Sequence, residues 1–305
     1  MFPWKDGDIL TEDTEDLTLV YKNGQWMSNT STDISTVGLS QKYCYRIKVQ
    51  EDIDVSLWGT SLRDEKLRTI DVKKGWNSIG YTPMVNLPIT TALAGYYDEA
   101  MPGDVIKNQH EFAIFASDGA GGGKWSGSLK YMKPGEGYML HRLKDSNTSF
   151  TYPYYEPGAT FIDIGSTKHN ASRFAMTMTV VAEAVGVDLE EGDQLVAYAN
   201  GEVVGSETLQ ADGDNLFYLS IEGENNTPLS FAIERGGEMI ATTSDVMTYE
   251  ANAISGSPAE PTKISFVQID QLPQDGWYTL QGIKLQHAPT KSGVYIYNGH
   301  KQVIK

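Results

Sequence analysis

Residues 196–205 read "VAYANGEVVG". Two apolar runs meet there at Asn200-Gly201. An Asn-Gly pair between such runs predicts a two-residue hairpin turn, because both central residues must take positive φ to match the twist of the flanking strands. The same signal stands at Asn23-Gly24 in "LVYKNGQWM" and at Asn298-Gly299 in "YIYNGHKQV", and Gly236-Gly237 in "AIERGGEMI" adds another. These turns lie near the beginning, past the middle and at the end, so β-structure is expected throughout.

Working outward from the first turn, Phe161 to Phe266 reads as one unit of short strands. In "RFAMTMTVVA", Phe174, Met176, Met178 and Val180 alternate with Thr177 and Thr179, the two-residue period of a half-buried strand. "QLVAYA", "EVVGSETL", "LFYLSIEG", "LSFAIER", "EMIATT" and "TKISFVQI" follow, separated by turn residues. About seven strands at this spacing, without a long helical pattern, predict an immunoglobulin-like β-sandwich. "SGSPAEP" at 255–261 reads as a loop before its last strand. From Glu183 to Glu260 there are sixteen acidic side chains and one basic one, Arg235, which predicts a solvated acidic surface.

The first half is less regular. "YCYRIKV" places Tyr43, Tyr45, Ile47 and Val49 on one strand face, and "DVSLWG" and "GYMLHRL" read as further strands. "NLPITTALAGYYDEA" is the one helix candidate, with Pro88 in a first turn. "SDGAGGGKWSG" is a flexible loop by composition. "YEPGA" at 155–159 is a plausible joint. The expected organisation is a β-rich N-terminal module with one short helix over 1–157, the sandwich over 158–268, and a C-terminal hairpin tail over 269–305.

The chain's 305 residues suffice for about two ordinary domains, each burying its own core. Cys44 is the single cysteine, so no internal disulfide holds the fold, and its place in an alternating run predicts a buried or half-buried thiol. A net charge of -16 argues against nucleic acid and anionic membrane surfaces as partners, since both need clustered positive charge. No apolar run approaches the roughly 18 residues of a membrane span. The opening "MFPWKDGDIL" has no basic start and apolar stretch of an export signal. That leaves a cytoplasmic protein, or the mature or excised part of a larger one.

Catalytic motifs are absent from the sequence. His110, His141, His169, His287 and His300 are scattered without metal-ligand spacing, and no "GxSxG" marks a nucleophile elbow. "GAGGGKW" is no phosphate loop, because Asp118 stands where the first glycine belongs and Trp125 where a hydroxyl should follow Lys124. Asp212 and Asp214 in "ADGDN" are weak calcium-type ligands that lack the acid closing such a loop. No cofactor or resident metal is expected. Among the aromatics, Trp125 beside the glycine-rich loop, with Lys124, is the candidate sugar-stacking platform.

Three stretches carry a resemblance. "KGWNSIGYTPMVNLPITTALAGYYDEAMPGDVIKNQHEFAIF" followed by "KWSGSLKYMKPGEGYML" resembles a module of large secreted and surface proteins of the Bacteroidetes type, in which a "GWNWIGYP"-like strand, a helix, "GDVIKSQ", a "W.GSL" strand and "PGKGYM" occur in that order. "YRIKVQEDIDVSLWG" resembles the strand pair that introduces it. "LEEGDQLVAYANGEVVGSETL" with "YEANAISGSPAEPTKISF" is similar to the sandwich that often follows. "YTLQGIKLQHAPTKSGVYIYNGHKQVIK" resembles the short C-terminal tails of those proteins, related in pattern to type IX secretion sorting domains, with Thr279 and Ile283 departing from the usual "DLQGR". The resemblance implies export and an extracellular or cell-surface location, with a protein or glycan as partner.

The tail's own pattern is specific. A turn at Asn298-Gly299 pairs Tyr297 with His300, Ile296 with Lys301, Tyr295 with Gln302 and Val294 with Val303. Val294, Ile296 and Val303 then share a face with Lys301 beside them, and Tyr295, Tyr297, His300 and Gln302 share the other. "WYTLQGIKL" predicts a second hairpin turning at Gln281-Gly282. Lys263 to the end carries five lysines against Asp270 and Asp275, so a basic strand pair is expected to lie on an acidic body. The expected function is a non-catalytic bacterial surface module for attachment, adhesion or display. The alternatives are a carbohydrate-binding module and a hydrolase with dispersed site residues.

Overall fold

The computed structural model describes residues 4–12, 17–28, 39–53, 62–155, 176–210, 214–243, 247–269 and 275–304. The expected strand "DVSLWG", Phe174, His169, Asp212 and most of the "YEPGA" joint lie outside them. The chain is mainly β and forms two compact units, one of residues 1–108 and 113–171, the other of 109–112 and 172–305.

In the first unit, Ile9–Glu12, Leu17–Lys22, Gln25–Ser28 and Arg46–Lys48 form a small sheet whose hairpin turns at Asn23-Gly24, with φ of 53° and 83°. A five-stranded sheet runs in the order Gly123–Gly127, Phe112–Ser117, Val105–Lys107, Gly137–Arg142, Gly75–Gly80. Its inner face buries Ile79, Ile106, Phe115, Trp125, Tyr138 and Leu140 against Leu93, Tyr96, Phe150 and Tyr152. Tyr96 comes from the expected helix, which is one α-turn, Ile89–Ala92, continued as a 3-10 helix over Ala94–Glu99. A short helix at Glu65–Arg68, capped by Asp64, was not expected. The "YCYRIKV" reading is corrected: only Arg46–Lys48 pairs as a strand, and Ile47 is exposed. The preceding backbone is drawn across the sheet edge instead, where the Gly80 amide donates to the Lys42 carbonyl.

Several residues of the quoted motifs are explained by geometry. Asn77 is buried and closes the turn before its own strand: its Oδ1 accepts from the Lys73 amide, and its Nδ2 donates to the carbonyls of Lys73, Gly75 and Leu140. Gly80 admits no side chain, because a Cβ there would stand 2.1 Å from the Gln41 carbonyl oxygen. Arg142 is fully buried, with hydrogen bonds to Ser146, Tyr96 and Glu99 that tie the 3-10 helix to the sheet.

The second unit holds the sandwich. One sheet sets Thr177–Val185 between Leu216–Glu222 and the short strands Ile254–Ser255 and Thr262–Ser265, both of the latter parallel to it. The other runs Glu202–Thr208, Gln194–Ala199, Pro228–Arg235, Glu238–Thr242, Val267–Gln268. Met178, Val180, Phe217, Leu219, Leu195, Ala197, Phe231 and Ile233 interdigitate between them, the period-2 set expected of each strand. Thr177 and Thr179 are buried as well, which corrects the half-buried reading. Segment 252–253 lies against them, its Asn252 and Ala253 amide and carbonyl bonded to Thr177 and Thr179. "SGSPAEP" is the loop between the two parallel strands, closed by mutual hydrogen bonds of Ser257 and Glu260.

Candidate functional site

The hairpin strands Gly293–Tyr297 and His300–Ile304 pair in the register that the turn dictates, Tyr297 with His300 through Val294 with Val303. Trp277–Thr279 pairs with the first of them and with Lys284–Leu285, making a four-stranded sheet. The second hairpin exists, but its turn centres one residue earlier than expected. The Gly282 amide donates to the Thr279 carbonyl, and Gly282 takes a φ of 72° as the residue that rejoins the strand. This is the three-residue loop with glycine in the left-handed position.

Alternation gives this sheet two unlike faces. Tyr278, Leu280, Val294 and Ile296 are buried, and they join Val196, Tyr198, Ala232, Met239 and Ile269 in a hydrophobic cluster of their own. The second sandwich sheet is therefore covered on both sides, and the tail is a third layer. The Thr242 hydroxyl donates to the Leu280 carbonyl across this seam. Gly201, in the turn quoted first, approaches the tail so closely that a Cβ would stand 2.5 Å from the Gly293 Cα. Val303 does not follow its face inward: it is 57% exposed, because its strand is the sheet's outer edge and overhangs the seam.

Lys301 is the charged contact of the seam. Its Nζ lies 2.6 Å from Glu234 Oε1 and 3.0 Å from the Tyr198 hydroxyl, which itself donates to Glu234. Burial pulls the Lys301 amine down, but the hydrogen bonds to Glu234 and Tyr198 outweigh it and leave the amine above its ordinary value. Burial, aided by the Glu234 carboxylate, pushes the Tyr198 phenol up to about 12. The basic tail thus meets the acidic body through this half-buried pair. Of the other tail lysines, Lys284 pairs at 2.8 Å with Asp275 of the tail itself.

The outward face carries Trp277, Tyr295, Tyr297, His300 and Gln302. Trp277 and Tyr297 are cross-strand neighbours with ring centroids 4.5 Å apart and planes 31° apart. Asn298 and Gly299 form the turn at φ of 50° and 78°, and Asn298 Oδ1 accepts from the Gly276 amide. Beside this turn a cleft of about 570 Å³ is lined by Asp188, Glu190, Arg235, Met239, Asn298 and His300, among others. Arg235 is committed there to Asp193, Glu190 and the Asp188 carbonyl, so the cation lining the cleft is already paired within the fold.

The Trp125 reading is corrected. Trp125 is 9% exposed and packs edge-on against Phe115 at 5.2 Å, since strand alternation turns it into the core and Lys124 out to solvent. The glycine-rich loop beside it is pinned, with Asp118 accepting from the amides of Ala120 and Gly122. Asp214 accepts from the Leu216 amide and the Tyr218 hydroxyl. Among the described residues, no three His, Cys, Asp or Glu side chains stand together as metal ligands. Among the described residues, no helix is long and apolar enough to cross a membrane.

Sequence reasoning missed two centres. Tyr198 and Glu234 complete the seam, and the available signal was "LVAYA", apolar on both strand faces, as in strands buried on two sides. In the first unit, Lys107 is 2% exposed with its Nζ 4.6 Å from the Trp76 ring centroid, and Trp76 packs on His141 at 4.9 Å. Burial first, then the Arg46 charge, brings the Lys107 amine down to about 7. His141 is also held low, chiefly by burial, and its Nδ1 has no hydrogen-bond partner among the described residues. No protein-family model, curated protein or solved structure matches this chain.

Proposed function

We propose that this chain is a non-catalytic module of a bacterial secreted or cell-surface protein, acting in attachment or display, with its C-terminal sheet as the presented element. The observation that carries this reading is the division of labour in that sheet. One face is consumed by a hydrophobic seam, and the opposite face holds an aromatic pair that the fold does not need for docking. Aromatic side chains on a sheet face that the described residues leave partly exposed suit recognition, since they contribute contact area at small entropic cost. The resemblance of "GWNSIGY", "GDVIKNQ" and "PGEGYM" to modules of Bacteroidetes surface proteins, and of the tail to type IX sorting patterns, supports the extracellular setting.

Adhesion of the whole chain, coupled to beads, to bacterial and host-cell surfaces tests the attachment role. Adhesion is expected, and it should fall when Trp277 and Tyr297 are replaced together by serine. Beads that do not adhere, or adhere equally with both residues replaced, defeat the reading. The sorting role is tested by deleting Gly276–Lys305 and measuring export and thermal stability. Stability lost while export persists removes sorting from the proposal.

A further inference from the structure

We propose that the outward face of the C-terminal sheet binds a neutral pyranose glycan; this rests on the attachment reading and names its ligand class. The register sets Trp277, Tyr297 and His300 in one row across three adjacent strands, and Thr279, Tyr295 and Gln302 in the next. Neighbouring strands stand about 4.8 Å apart and same-face residues about 6–7 Å apart along a strand, so the rows make a floor on the scale of one or two sugar rings. Trp277 and Tyr297 form the apolar part: with centroids 4.5 Å and planes 31° apart the rings stack on each other, which leaves their outer faces and edges for a ligand, and Tyr297 is 39% exposed. Tyr295 is fixed by its hydroxyl, which donates to the Lys291 carbonyl at 3.0 Å.

The polar part adjoins it. His300 and Gln302 are exposed, and their side chains make no hydrogen bond or ion pair among the described residues. No Asp, Glu, Lys or Arg stands in either row, and nearby Lys284 is neutralised by Asp275. A pyranose ring has an apolar C–H face and hydroxyl groups at its rim. An outer face of the stacked pair receives the first, and the free imidazole and carboxamide receive the second. A site for an anionic chain would instead need free cations among these residues.

The test uses the whole chain on an array of neutral gluco-, manno- and xylo-oligosaccharides and of sulfated and sialylated ones, followed by calorimetric titration with any neutral hit. At least one neutral class is expected to bind. Trp277→Ala and Tyr297→Ala should each weaken binding about tenfold or more, Trp277→Phe should keep it, and unchanged thermal melting of the variants excludes misfolding. Binding to anionic glycans alone, or neutral binding that survives both alanine variants, overturns the proposal. Adhesion to a surface protein through Trp277 with no neutral glycan bound also overturns it, and leaves the attachment reading standing. Failure of both adhesion and glycan binding removes both.

Discussion

Lys107 sits in a strand whose neighbours offer it an indole face and a second cation, and its amine is brought down from 10.5 to about 7. Below pH 7 the folded and unfolded chains both hold its proton. Between about 7 and 10.5 only the unfolded chain does, so this residue makes stability rise with pH across that window. Lys107→Met removes the penalty. We expect the variant to be more stable than the parent at pH 6, by on the order of 1–3 kcal/mol, with the gap closing towards pH 10. Urea denaturation at both pH values measures this, and a gap that stays constant with pH refutes the assignment. Lys107 was not singled out in the sequence, where "GDVIKNQ" stands only within the resemblance, and only the fold places Trp76 beside the ammonium.

Among the elements, what was local was legible. Asn23-Gly24, Asn200-Gly201, Gly236-Gly237 and Asn298-Gly299 all take positive φ at both positions, because the turn's backbone demand is met by two adjacent residues and nothing distant. The same locality fixed the tail register pair by pair. Trp125 was misread because neighbouring glycines describe the loop, whereas the direction of its side chain is set by pairing with Phe115. The docking of Lys301 was half legible: its face could be read, but Glu234 lies 67 residues away. That pair makes its own prediction. Lys301→Met alone leaves a carboxylate that is only 11% exposed without its cation, and should cost about 1–3 kcal/mol. Adding Glu234→Gln should return most of it, and a double-mutant cycle by chemical denaturation reads the coupling. Strictly additive losses would mean that the pair does not anchor the tail.

At the scale of the whole second unit, the strand Gln194–Ala199 serves two cores. Leu195, Ala197 and Ala199 face the sandwich interior, while Val196 and Tyr198 face the tail. The sandwich and tail should therefore unfold together. Ile296→Ala, at a fully buried tail position, is expected to cost about 2–5 kcal/mol. It should lower the amide-exchange protection of Val196 and Ala232 with that of the tail. Exchange faster in the tail alone would separate the two as independent folding units.

The same three-layer stacking bears on how the molecule is made. The tail follows the sandwich in the chain, so the apolar patch around Val196, Ala232 and Met239 stays wet on the ribosome until the last strands emerge. A prematurely terminated copy would carry that patch uncovered, and would be open to capture by chaperones and proteases before it could compete with finished molecules.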